Sequence, residues 1–165
     1  MEILSGVLLF AATITMGLMA GVFGLYAHTI MRGLRRTDDR TFVAAFQSID
    51  TAIINPWFLV SFFGALVLTG LAAGLFLPSG QRAPLPWIVA AFLLYLATAV
   101  ITFAVNVPLN DAIKAAGRPA ETDVAAVRRR FAEDRWAAWN LIRAVASTVA
   151  FACLARALVV YGAGS

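Results

Sequence analysis

Four long apolar stretches, Ile3 to Met31, Ala52 to Leu77, Trp87 to Val105 and Asn140 to Tyr161, dominate the chain and hold their polar residues at the end flanked by arginine. Each approaches or exceeds the roughly 20 residues that a helix needs to cross a hydrocarbon core about 30 Å thick. With 61% hydrophobic and 13% charged residues and a mean hydropathy of +0.83, a chain of this length could not hide its apolar surface from water as a soluble globule. Backbone groups in lipid must be satisfied internally, and no segment alternates with the period of two that a closed barrel requires. The pattern predicts an all-α integral membrane four-helix bundle with amphipathic cytoplasmic extensions, a single unit over residues 1–165 whose solvent is the lipid bilayer.

The net charge of +4 and the pI near 10 follow topology and form no continuous basic face, which argues against nucleic acid as a partner. Arg32, Arg35, Arg36 and Arg40 fall in the first connection (32–51), and Lys114, Arg118, Arg128, Arg129, Arg130 and Arg135 in the third (106–139). The second carries only Arg82. The positive-inside rule then puts both basic connections in the cytoplasm and both termini outside, with a bacterial inner (plasma) membrane as the expected location. The first 20 residues lack a basic leader and carry Glu2, and their apolar run outlasts a signal peptide's, so they read as an uncleaved first helix. Cys153, the single cysteine, excludes an intramolecular disulfide and reads as a small buried apolar residue.

Along the chain, Gly17, Ala20, Gly21 and Gly24 give the first helix a small-residue face for close packing, within the bundle or in a homo-oligomer, and Gly70 and Gly74 repeat the device on the second. Phe42, Phe46, Ile49 and Ile53 recur at helical spacing in an amphipathic lead-in. Asn55-Pro56 predicts a kink or a fresh helix start, because proline lacks the donor and disfavours helical geometry before it. Pro78 to Pro86 reads as a short outer turn, tightest at Ser79-Gly80. Asn106-Val-Pro-Leu-Asn110-Asp111 predicts a second interruption. Thr122 or Asp123 should cap a last helix running unbroken to Tyr161.

On this topology His28, Asn55, Asn106 and Asn110 fall at the inner ends of the first three helices. Trp136, Asn140 and Arg143, spaced by four and then three residues, share one face at the inner end of the fourth. Polar side chains at membrane depth are costly and point to a functional site. The bland alternatives are that Asn55 and Asn106 satisfy backbone groups freed by the prolines, that Trp87, Trp136 and Trp139 are interfacial belt residues, and that Arg143 snorkels to headgroups. Metal chemistry is poorly served: there is one histidine, no HxxxH or ExxH pair, and Asp50 and Asp111 look solvent-facing, with the sequence leaving open whether Asp50 turns to the site. No nucleotide-binding glycine fingerprint or Ser/His/Asp arrangement is legible. One base, one fixed cation, several amides and several indoles suit a flat, oxygenated, lipophilic molecule whose anion they stabilise.

The Gly-x-x-x-Gly run leading to His28, Asn55-Pro56, Asn106-x-Pro-Leu-Asn110 and Trp136-x-x-Trp139-Asn140-x-x-Arg143 together resemble the anthrone oxygenase family of small four-helix membrane proteins. The resemblance implies an oxygenase that converts the methylene carbon of a lipophilic, polycyclic phenolic or anthrone-like substrate into a quinone carbonyl with O2 and no obvious cofactor. Under it, His28 would remove the methylene proton, Arg143 with Asn106, Asn110 or Asn140 would hold the enolate oxygen, and Trp136 or Trp139 would stack on the rings. Two other classes stay open: a non-catalytic lipid- or quinone-binding or accessory protein, and a haem- or metal-dependent redox protein using His28.

Overall fold

The computed structural model describes residues 2–78 and 80–164, so Ser79, expected at the tight point of the outer turn, lies outside the described residues. Every regular element among them is helical. α1 (Glu2–Leu25) continues through a π-helical turn (Tyr26–Ile30) into α2 (Met31–Leu34), and α3 (Asp39–Ile53) leads into α4 (Pro56–Phe76). α5 (Leu85–Ile101) continues through a second π turn (Thr102–Asn106) into α6 (Val107–Ala115), followed by α7 (Val124–Phe131) and α8 (Glu133–Ala163). Four helical runs, Ile3–Leu34, Pro56–Phe76, Leu85–Ala115 and Val124–Ala163, are long and apolar enough to span a membrane. The protein is an all-α integral membrane protein.

α1 packs against α4 and α8, and α5 against α8 and α4, closing a four-helix ring. Lipid tails are as apolar as leucine, so burial alone gives such helices little reason to associate, and close packing must supply it. Gly17 provides this: a Cβ there would lie 3.0 Å from the Phe151 ring of α8. Gly70 plays the same part toward Phe92, at 3.2 Å. Leu9, Met16, Phe62, Ile88, Tyr95 and Leu154 fill the interior between these contacts, while Phe10, Val60, Leu93 and Val145 remain exposed on the outside.

A second apolar cluster closes the arginine-rich end. There α3, α6 and α7 pack on one another, joining Phe42, Phe46, Ile113 and Phe131 to Met31, Tyr26 and Trp136. The Phe46 and Phe131 rings lie 4.5 Å apart. Arg128 ties the cap together, bonding Asp39 (3.1 Å) and Glu133 (3.0 Å) while its guanidinium sits 4.2 Å over the Phe42 ring. Asp38 caps α3 by accepting from the Thr41 hydroxyl (2.6 Å) and the Thr41 N–H (3.0 Å), bonds that hold its carboxyl below the usual range.

The two expected breaks and the expected unbroken last helix fare differently. At Asn55 the backbone is extended (φ −128°, ψ 165°), the side-chain oxygen accepts from Phe58 N–H at 3.1 Å, and Pro56 opens α4. This is a fresh start with proline where its missing N–H does not matter. The interruption expected around Pro108 does not occur, because the helix passes from the π turn at Thr102–Asn106 directly into α6. A widened turn accommodates the proline ring and the lost backbone bond without ending the helix. The last helix, expected to be unbroken, is broken at Ala132, which adopts the left-handed conformation (φ 51°, ψ 60°) between α7 and α8. Asp123 does cap α7, accepting from Ala126 N–H.

Candidate functional site

Where the ring meets the cap, a cavity of about 80 Å³ is lined by Phe23, Tyr26, Asp50, Ile53, Ile54, Phe58, Thr102, Asn106, Asn110, Trp136, Asn140 and Arg143. Both π turns border it. The first places Tyr26, and the second begins at Thr102 and ends at Asn106. Such turns shift the backbone ladder by one residue and re-aim side chains, which is why they recur at functional sites. On α8 the Trp136, Asn140 and Arg143 spacing presents all three to this space.

Arg143 organises the floor. Its two terminal nitrogens donate to Thr102 Oγ1 (3.0 Å) and Asn140 Oδ1 (2.8 Å), and its guanidinium lies 4.5 Å over the Phe23 ring. Only 5% of Arg143 is exposed, its Nε has no hydrogen-bond partner, and among the described residues no carboxylate pairs with it. A buried cation without a counter-ion is costly, and an anion entering the cavity would offset that cost. Asn140 is in turn held by donating to the Phe23 carbonyl (3.1 Å). Asn106 donates weakly to the Trp136 carbonyl (3.3 Å) and keeps a buried, unpartnered Oδ1.

The opposite wall carries a chain of polar contacts. Trp136 Nε1 donates to Asn110 Oδ1 (2.6 Å), Asn110 Nδ2 donates to Asp50 Oδ1 (2.6 Å), and Lys114 Nζ stands 2.8 Å from Asp50 Oδ2. Asp50, whose orientation between site and solvent the sequence leaves open, is only 6% exposed and lines the cavity. Its position, four residues after Phe46 and three before Ile53, places it inside the apolar stripe of α3. That spacing was the signal by which it could have been found. Tyr26 and Thr102, also missed, continue the buried faces of Met19 and Phe23 and of Tyr95 and Thr98 at ordinary helical spacing, and open the two π turns.

Not every expected residue reaches this cavity. His28 is exposed, with Nδ1 2.6 Å from Thr29 Oγ1, and lines a separate surface groove with Gly24, Arg32, Leu141, Val145 and Thr148. Asn55 serves as the α4 cap and donates to the Ala52 carbonyl (2.9 Å), so its polar groups are engaged with backbone. Trp139 is half-buried and does not line the cavity, nor does Asp111, which pairs with Lys114 at 3.3 Å. Among the described residues no three histidine, cysteine or acidic side chains converge on a point that could hold a metal ion. The chemistry the cavity offers is a fixed cation, amide groups, aromatic faces and one carboxylate.

Residues 57–153, more than half of the chain, match the family model described as Anthrone oxygenase. No curated protein and no solved structure matches the chain. The matched span holds Thr102, Asn106, Asn110, Trp136, Asn140 and Arg143, whereas Tyr26 and Asp50 lie before it.

Proposed function

The chain belongs to the anthrone oxygenase family, and from that membership and the cavity's chemistry we propose that it oxidises a lipophilic, phenolic anthrone-like substrate at the bilayer surface. The methylene carbon becomes a carbonyl, with one atom of O2 entering the product and the other leaving as water. The observation that carries this reading is Arg143, a buried guanidinium with no ion-pair partner among the described residues, facing a cavity of aromatic and amide groups. Such a preorganised cation stabilises an enolate more than the neutral ketone, and preferential binding of developing charge accelerates deprotonation. The carbanion is then electron-rich enough to react with O2. Tyr26, Phe23 and Trp136 offer faces for the rings, and Asn140 fixes the guanidinium's direction.

A cavity of about 80 Å³ is far smaller than the roughly 300–1,000 Å³ of sites that enclose drug-sized ligands. The wall must therefore move to admit three fused rings. The α3–α4 junction is the section that reaches the outside, since Ile53, Ile54 and Phe58 line the cavity there and Ile54 is also exposed on the outer surface. Opening there would admit a substrate already dissolved in the inner leaflet, with the arginine-rich end facing the cytoplasm.

The test is oxygen uptake by the detergent-solubilised protein supplied with a dihydroxyanthrone, against a heat-denatured control that corrects for spontaneous oxidation. Protein-dependent uptake matched by quinone formation is the expected result. Uptake equal to the control, from protein that still elutes as a folded species, would remove the oxygenase reading and leave a membrane binding protein.

A further inference from the structure

We propose that Asp50 is the general base of this site, the group that takes the substrate's methylene proton. The inference rests on the oxygenase reading above and assigns the proton-transfer step within it. Among the described residues Asp50 is the only carboxylate on the cavity wall, and it is buried. Asp50, Tyr26 and Arg143 line the same small cavity, which places acceptor and cation around one space. A carboxylate on one side and an oxyanion-binding group on the other is the arrangement by which a weak base removes a proton beside a carbonyl. Arg143 supplies the second half.

The setting of Asp50 suits the task. Asn110 fixes Oδ1 through a 2.6 Å bond, while Lys114 approaches Oδ2 at 2.8 Å as an ion pair without an aligned hydrogen bond. Oδ2 therefore keeps a lone pair available, and the lysine sets a positive charge beside it. Lys114 is about one-third exposed and also pairs with Asp111, so it connects the carboxylate to solvent. It is a positioning residue.

The steps balance with dioxygen as the oxidant. Asp50 takes one methylene proton, and the C–H electron pair delocalises into the enolate held by Arg143. The carbanion carbon bonds to O2 and gives a peroxide anion, which recovers the proton from Asp50. The carboxylate then takes the remaining proton on that carbon as the O–O bond breaks. The C–H pair becomes the second bond of the new carbonyl, and hydroxide leaves with the proton returned by Asp50, as water.

Deuterium exchange isolates the first step. Purified protein is incubated without oxygen in heavy water with the dihydroxyanthrone, and deuterium in the recovered substrate is measured beside binding of the corresponding anthraquinone. Wild-type protein should exchange the methylene well above the protein-free rate. Asp50→Asn should lose at least about 100-fold of that excess while still binding the quinone. Because this variant leaves Lys114 without its partner, Asp50→Asn/Lys114→Met, which removes both charges, serves as the second variant with the same expected loss. Exchange that persists in folded, quinone-binding Asp50 variants would overturn the assignment. Loss in His28→Ala with persistence in Asp50→Asn would move the base to His28. A wild-type protein that binds quinone but exchanges nothing would instead remove the oxygenase reading itself.

Discussion

Replacing Arg143 with methionine tests whether the cavity is built around an anion. Methionine reaches about as far as the arginine Nε, so the packing of the aliphatic stem is kept while the guanidinium, with its contact over Phe23, is removed. Two hydrogen bonds disappear, with Thr102 Oγ1 and Asn140 Oδ1. Thr102 still donates to the Thr98 carbonyl, whereas Asn140 Oδ1 is left buried without a donor. One such orphan costs about 1–3 kcal/mol, offset by no longer burying an unpaired cation, so the variant should unfold within a few degrees of wild type. Ligand binding should respond more strongly. The free Nε–H offers a charge-assisted hydrogen bond of about 1.5–3 kcal/mol, equivalent to a roughly 10- to 150-fold loss of affinity for an anionic ligand. The assay is a titration of detergent-solubilised protein with a phenolate that mimics the enolate and with an uncharged anthracene, followed by absorbance. The phenolate should weaken by that factor and the hydrocarbon should change less than about threefold, as expected for a ligand that lacks the hydrogen bond. A folded Arg143→Met protein that binds the phenolate as tightly as wild type would refute the reasoning.

Two further outcomes concern the cap. Ala132 holds a positive φ of 51° between α7 and α8; Ala132→Gly should raise stability by about 0.5–1 kcal/mol, the left-handed penalty less glycine's extra unfolded-state entropy, read as a higher midpoint in thermal unfolding. Arg128→Ala removes the ion pairs to Asp39 and Glu133 and the contact with Phe42. It should make the segment between Gly117 and Ala132 sensitive to limited proteolysis before the transmembrane helices unfold, and cleavage at the wild-type rate would count against Arg128 as the tie.

Hydropathy and spacing made much of this protein legible. An apolar run long enough to cross a bilayer must satisfy its own backbone, so helix is the available answer whatever its neighbours do. The fresh start at Asn55-Pro56 was equally local, since the cap and the proline act within one turn. The common face of Trp136, Asn140 and Arg143 comes from helical periodicity alone.

Which side chains meet was another matter. The π turns at Tyr26–Ile30 and Thr102–Asn106 have no compositional mark, yet each rotates the succeeding residues by part of a turn. Tyr26 and Thr102 open the two turns on the cavity side, Asn106 follows within, and His28 falls on the outside. The break at Ala132 sits at an alanine, a strong helix former, and the αL strain persists because the surrounding contacts hold it in place. Asp50 read as solvated because a lone carboxylate is cheapest in water; only the fold brings Asn110 and Lys114 from α6 to within hydrogen-bonding and ion-pairing distance of it. Local physics thus determined the helices and the faces they present. The partners of a buried charge are nonlocal, and they were decided by how those faces pack.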